Sequence, residues 1–84
     1  RLPQQARSRL RFNQILDAAA LVFEEVGYEM ASTELIAVRA NTSIGSLYRF
    51  FPDKSAILHA LGERYASELK DLFVEIFHPK NVDK

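Results

Sequence analysis

The stretch STELIAVRANT (residues 32–42), followed directly by SIGSLYRFFPDK (residues 43–54), decides the fold of this chain. It predicts a short helix, a tight turn and a second short helix whose first turn is small and polar. Leu47, Phe50 and Phe51 follow that first turn and can pack into a hydrophobic core. A helix built this way can push its amino-terminal end into a groove, as a recognition helix does in the major groove of DNA. DNA binding is therefore the leading hypothesis.

Longer helices are predicted on both sides of this unit. From Ser8 to Val26 the apolar residues recur at steps of three and four, and Gly27 follows where a left-handed carboxyl-terminal cap is wanted. A fourth helix is predicted from Lys54 to Phe77, ended by His78-Pro79. The predicted fold class is all-α, with a three-helix head and a long fourth linking helix.

Short polar residues mark the predicted helix ends. Ser32, Ser43 and Asp53 are expected to cap the second, third and fourth helices, and Asn41 tolerates the left-handed conformation that closes a tight turn. The predicted core consists of the apolar residues that share one face of each helix: Phe12, Ile15, Leu16, Ala19, Val22, Phe23, Val26, Leu35, Ile36, Ala40, Ile57, Leu58, Leu61 and Tyr65.

The fourth helix is too long for the head to cover. At 1.5 Å per residue it extends about 36 Å, and a three-helix head spans only its first half. The apolar residues beyond that point therefore need either a second copy of the chain or the missing body of a longer protein, and we favour the second: Leu69, Leu72, Phe73, Ile76 and Phe77.

Composition excludes several classes of protein. The 84 residues contain no cysteine, so neither a disulfide nor a thiolate metal site is available, and 48% of them are hydrophobic, which suits a packed core. No apolar run approaches the roughly 18 residues of a membrane span, and a soluble cytoplasmic protein is expected. The net charge is zero, but four arginines precede the first acid: Arg1, Arg7, Arg9 and Arg11.

The run from Ile15 to Leu58 resembles the DNA-binding domain of the TetR (tetracycline-repressor-like) family of bacterial transcriptional regulators. The matching elements are ILDAAALVFEEVGYEMAST, IAVRA and SIGSLYRFFPDKSAIL, of which LY (residues 47–48) followed by FP (residues 51–52) and Lys54 is the most specific part. The resemblance implies a helix-turn-helix in which the third helix enters the major groove, in a protein that is a ligand-responsive repressor.

The same resemblance divides the chain. Residues 1–51 are expected to form the helix-turn-helix head with an N-terminal basic arm. Residues 52–84 are expected to form a linker helix leading to an absent C-terminal domain for ligand binding and dimerisation. The implied partners are a palindromic double-stranded DNA operator, a second copy bound through that domain and a small-molecule effector, with no membrane, cofactor or metal.

The candidate DNA contacts cluster on and around the third helix. Gly45 lets the helix backbone come close to base edges, at a helix-propensity cost of roughly 1 kcal/mol against alanine, and Ile44 suits a thymine methyl unless it is packed. Tyr48 is expected at a phosphate because the family's matching tyrosine usually bonds one; a core tyrosine with a satisfied hydroxyl is the alternative. The full set is Arg9, Arg11, Ser32, Thr33, Ser43, Ile44, Gly45, Ser46, Tyr48, Arg49 and Lys54.

Some residues depart from the family pattern or stand outside the site. Asn41 replaces the usual turn glycine, and Thr42 replaces an apolar turn residue, which predicts looser packing. Arg39 is expected to pair with an acid of the first helix. Catalysis is not expected, because the chain has two distant histidines, no cysteine and no metal-ligand cluster. The competing function is a helical protein-interaction module that does not bind DNA.

Overall fold

A computed structural model describes residues 2–77, and within that range it contains four helices and no strand. The helices are α1 (Gln4–Met30), α2 (Thr33–Arg39), α3 (Ile44–Phe50) and α4 (Lys54–Phe77). The predicted all-α fold is confirmed, and α4 has the predicted bounds. The predictions for Arg1 and for His78-Pro79 lie outside the described residues.

The three predicted amino-terminal caps are present. In each case a side-chain oxygen accepts the backbone N–H of the residue three positions later, at 3.1 Å for Ser32, 3.0 Å for Ser43 and 2.9 Å for Asp53. Each bond satisfies one of the four N–H groups that a helix start leaves without an internal partner. Such a cap typically contributes about 1 kcal/mol, which matters most for seven-residue helices such as α2 and α3.

The turn between α2 and α3 is closed by Asn41 in the left-handed conformation, with φ of 58°. Its N–H donates to Val38 O at 3.0 Å, and the N–H of Thr42 donates to Ala37 O at 3.0 Å. These two bonds form a Schellman motif, which satisfies the last carbonyls of α2. The predicted role of Asn41 in place of glycine is confirmed.

Helix α1 differs from its predicted bounds at both ends. It begins at Gln4, not Ser8, so Arg7 of the predicted N-terminal basic arm also lies on the helix. Gly27 has a positive φ of 83° as predicted, but its ψ of 161° places it in a glycine-only extended region and not in a left-handed cap. A further turn follows, and Ala31 N–H closes it onto Gly27 O at 3.1 Å.

The core lies where α1 packs against α2 and the start of α4, with α3 packed on α2. Its largest fully buried side chains come from all four helices: Ile15, Leu16, Ile36, Leu47 and Ile57. The ring of Phe12 packs against those of Phe50 and Phe51, with centroids 6.3 and 5.0 Å apart.

Four residues predicted in the core are exposed. Val26, Leu35, Leu58 and Tyr65 expose 43%, 48%, 45% and 48% of their surface. Leu58 follows the buried Ile57, and one step along a helix rotates a side chain by 100° away from the buried face. Leu35 precedes the buried Ile36 in the same way, because a short helix packed on one side buries only a narrow stripe.

Leu61 is the last buried residue of helix α4. Leu69, Leu72, Phe73 and Ile76 expose between 53% and 66% of their surface, as the sequence predicted. The side chain of Phe77 lies outside the described residues. None of the helices in the described part combines the length and apolarity that crossing a bilayer requires.

Candidate nucleic-acid interface

The first turn of α3 projects into solvent while its second turn is anchored. Ser43, Ile44 and Gly45 are exposed, and Leu47 behind them is fully buried in the core. In this seven-residue helix the buried Leu47 and the Ser43 cap help to fix its direction. The protruding end that the sequence predicted is therefore present; its contact with bases stays a prediction.

Gly45 has no role in the fold that alanine could not fill. Its φ is not in the positive range, and a Cβ built on it would meet nothing within 4 Å. Alanine would favour the helix by up to about 1 kcal/mol. The absence of a side chain here leaves the backbone of the exposed turn accessible to another molecule.

Tyr48 lies on the outer side of α3 with its hydroxyl held by α2. Its oxygen is 2.8 Å from Thr33 Oγ1, and either hydroxyl can be the donor. Tyr48 exposes 46% of its surface, whereas Thr33 exposes only 8%. The expectation that Thr33 reaches DNA does not fit this burial, because Thr33 lies behind Tyr48 and orients its hydroxyl.

Arg11 reaches across from α1 to the turn and to α3. Its Nη1 donates to Thr42 Oγ1 at 2.8 Å and to Ser46 Oγ at 3.2 Å. The packing that Thr42 was expected to loosen is therefore reinforced by a hydrogen bond from α1. Arg11 was expected to contact DNA. Its Nη1 does not point toward solvent for such a contact, because both of its hydrogens are donated to Thr42 and Ser46.

A basic groove runs between the start of α1 and α3. Three of its six lining residues are arginines, and the full lining is Arg7, Ser8, Arg11, Ser46, Arg49 and Phe50. Arg49 is exposed, and so is Arg9, which lies on α1 but does not line the groove. Arg7 donates to Leu2 O and to Gln4 Oε1, both at 2.9 Å. The groove places positive charge beside the projecting turn although the whole chain has no net charge.

Lys54 points into the protein and not toward the interface. Its Nζ donates to the carbonyl oxygens of Tyr28, Glu29 and Ala31 at 2.6, 3.2 and 3.0 Å, and it lies 4.4 Å from the centre of the Tyr28 ring. An ammonium has three hydrogens, so all of its donors are used. The DNA contact expected of Lys54 does not fit this geometry, in which its side chain joins the start of α4 to carbonyls at the end of α1.

A sequence model described as "Bacterial regulatory proteins, tetR family" matches residues 15–61, which is more than half of the chain. The matched range contains α2, the turn, α3 and the buried part of α4. This chain belongs to the TetR family.

Named relatives agree with this assignment. The A-factor receptor protein of Streptomyces griseus is 38% identical over 69 residues, which cover 82% of this chain and 25% of that protein. The HTH-type transcriptional repressor KstR of Mycolicibacterium smegmatis is 40% identical over 58 residues, 68% of this chain and 28% of KstR. The HTH-type transcriptional regulator BetI of Escherichia coli is 31% identical over 77 residues, 92% of this chain and 40% of BetI. The chain thus spans a quarter to two-fifths of these relatives.

Membership of the TetR family places this domain among bacterial regulatory proteins. Two of its relatives are named as HTH-type transcriptional regulators, and the α2–α3 unit is the helix-turn-helix of this chain. The alternative of a helical interaction module without DNA binding is not favoured. Among residues 2–77 no group of three or more acidic or histidine side chains is placed to hold a metal ion.

Two arginines outside the interface link α1 to other helices of this TetR-family domain. Arg39 forms an ion pair with Glu25 of α1, as predicted. Arg64, which the sequence did not single out, donates from α4 to Asp17 Oδ1 at 2.7 Å and to Asn13 Oδ1 at 2.9 Å. No local pattern marks Arg64, because its acceptors on Asp17 and Asn13 lie 47 and 51 residues away in the chain.

Proposed function

We propose that this TetR-family chain is the operator-binding head of a ligand-responsive repressor, with α3 in the major groove. The observation that supports it most is the exposed first turn of α3, which projects beyond the core while Leu47 anchors the helix from behind. The major groove of B-DNA admits an α-helix, and a recognition helix contacts base edges through its amino-terminal residues.

The contacts divide into base-reading and phosphate-binding groups. Ile44, Gly45 and Ser46 face the bases, with Ile44, 37% exposed, placed to contact a thymine methyl. The phosphate contacts lie around this centre: Arg9, Arg49, Tyr48, Ser32 and Ser43. The two serine oxygens accept backbone N–H groups at the helix caps, which leaves each hydroxyl hydrogen free to bind a phosphate oxygen.

The repressor binds a palindromic operator as a dimer and responds to a small molecule in the cytoplasm. The chain spans a quarter to two-fifths of its relatives, so a further domain of the whole protein supplies the effector site and the dimer contact. Two features support this arrangement: one relative is named as a receptor, and α4 ends in exposed apolar residues beyond its last buried residue.

Fluorescence anisotropy with labelled duplexes tests the DNA contact. The chain should prefer one duplex selected from a randomised pool over an unselected duplex. Two arginines at phosphates predict that log K falls with log salt at a slope of about −1.8 per head, at roughly −0.9 per neutralised phosphate. Affinity for duplex DNA that is absent, or that does not change with salt, would refute the proposal and favour a protein-interaction module.

A further inference from the structure

Arg11 joins three parts of the head through one nitrogen. Its Nη1 bonds the hydroxyls of Thr42 and Ser46, which stand on either side of the Ser43 cap. Arg11 itself is half-buried on α1. The base-reading turn of α3 is therefore fixed from the side by a long side chain of a different helix, in addition to its apolar anchor at Leu47.

The chemistry of this contact limits what Ser46 can offer to DNA. A guanidinium has donors and no acceptor, so the Ser46 oxygen must accept here and its own hydrogen remains available. A charged donor on the oxygen also polarises the hydroxyl and strengthens its donation to a further partner. Ser46 lies next to the exposed Gly45, on the turn that enters the groove.

We propose that Arg11 is a specificity-determining positioning residue that presents the Ser46 hydroxyl as a donor to a base acceptor. This inference rests on the proposed placement of α3 in the major groove. The acceptors on that edge are guanine N7 and O6, adenine N7 and thymine O4, whereas cytosine offers an amino donor. The charged donor on the Ser46 oxygen weakens its remaining lone pair as an acceptor, so Ser46 prefers a base acceptor to the cytosine amino group at the position it faces. The Nη1 group of Arg11 thus acts through Ser46 and not on a phosphate.

Lysine at position 11 separates orientation from charge. The two hydrogens on Nη1 have fixed directions in the guanidinium plane, and they meet two acceptors at once. Lysine keeps the positive charge but carries a rotating ammonium on a differently shaped stem, so it does not reproduce a planar two-acceptor contact. Arg11→Lys therefore keeps the positive charge while releasing Ser46.

The experiment measures base preference for the wild-type chain, Arg11→Lys, Ser46→Ala and the double variant. Each protein is titrated against the selected duplex and against duplexes with one base pair changed. Ser46→Ala should reduce the preference at one base position by about fivefold to tenfold, the low end of a lost base contact. Arg11→Lys should reduce the preference at the same position, keep the salt slope and add nothing once Ser46 is alanine.

Arg64→Lys is the matched control, because Arg64 also ties α1 to another helix through two short bonds. It should lower the melting temperature and leave the base preference unchanged. Two results for Arg11→Lys would overturn this inference and leave the proposed function standing. One is a wild-type base preference, with or without a lower melting temperature like that of the control. The other is a loss of preference that Arg11→Lys still adds when Ser46 is already alanine. A wild-type chain that binds no duplex would overturn the proposed function as well.

Discussion

Replacing Gly45 with alanine separates the stability of the head from its binding to DNA. A methyl group at this position meets no atom of the chain within 4 Å, and the backbone already has an ordinary helical conformation. The substitution therefore removes a poor helix former without a steric penalty. The free energy of unfolding should rise by up to about 1 kcal/mol, which raises the melting temperature of a domain of this size by roughly 4–8 °C.

The same methyl group should weaken binding to the selected duplex. It projects from the turn that we propose to enter the major groove, with base edges close to its backbone. Inserting a methyl into a packed contact typically costs about 1–3 kcal/mol, which corresponds to roughly fivefold to 150-fold in affinity. The two effects have opposite signs, so a loss of binding cannot be ascribed to unfolding.

Gly62→Ala is the matched control for this experiment. Gly62 is also exposed inside a helix, its added Cβ also meets nothing within 4 Å, and it lies on α4 away from the projecting turn. Thermal unfolding followed by circular dichroism and anisotropy titration should show that Gly62→Ala gains stability and keeps its affinity. If both alanine variants gain stability and both keep wild-type affinity, the close approach at Gly45 is refuted.

Three further substitutions test other parts of the account. Lys54→Met should lower the free energy of unfolding by about 2 kcal/mol, because three carbonyls lose a charged donor. It should leave the salt slope of DNA binding unchanged. A slope reduced by about 0.9 would show that Lys54 contacts a phosphate. Tyr48→Phe and Thr33→Val should each weaken DNA binding. Because Thr33 acts through the tyrosine hydroxyl, the double variant should bind DNA no more weakly in titrations than Tyr48→Phe does. Additive losses of affinity would contradict this. Leu47→Ala should lower the free energy of unfolding, measured with denaturant, by about 2–5 kcal/mol. Leu35→Ala, at a site with 48% exposure, should lower it by less than about 1 kcal/mol. Equal losses would contradict the packing described.

Local signals in the sequence predicted most of the backbone correctly. The caps at Ser32 and Ser43 and the turn at Asn41 depend on residues within a few positions, so their types are enough to identify them. Gly27 was predicted to need a positive φ, and it has one. Its ψ was predicted wrongly because the extra turn that follows depends on the packing of Tyr28 and on the contact with Lys54.

Long side chains were harder to assign than the backbone. Arg11, Lys54 and Arg64 bond to groups that lie 23 to 51 residues away in the chain, and only the packed fold brings those groups within reach. For a similar reason, local sequence does not determine which face of a short helix is buried. Apolar periodicity indicates that Leu35 belongs near a buried stripe, but the position of α1 decides that Ile36 takes the buried place.

Site-directed crosslinking tests most directly whether the first turn of α3 enters the major groove. The chain has no cysteine, so a single introduced thiol reacts at one place. Ile44→Cys should form a disulfide rapidly with a duplex that carries a thiol tether on a major-groove base edge, and only slowly when the tether is in the minor groove. The comparison is Leu69→Cys, on the 66% exposed surface of α4 beyond the head. If Ile44→Cys reacts with the major-groove tether no faster than Leu69→Cys does, α3 is not the element that reads DNA.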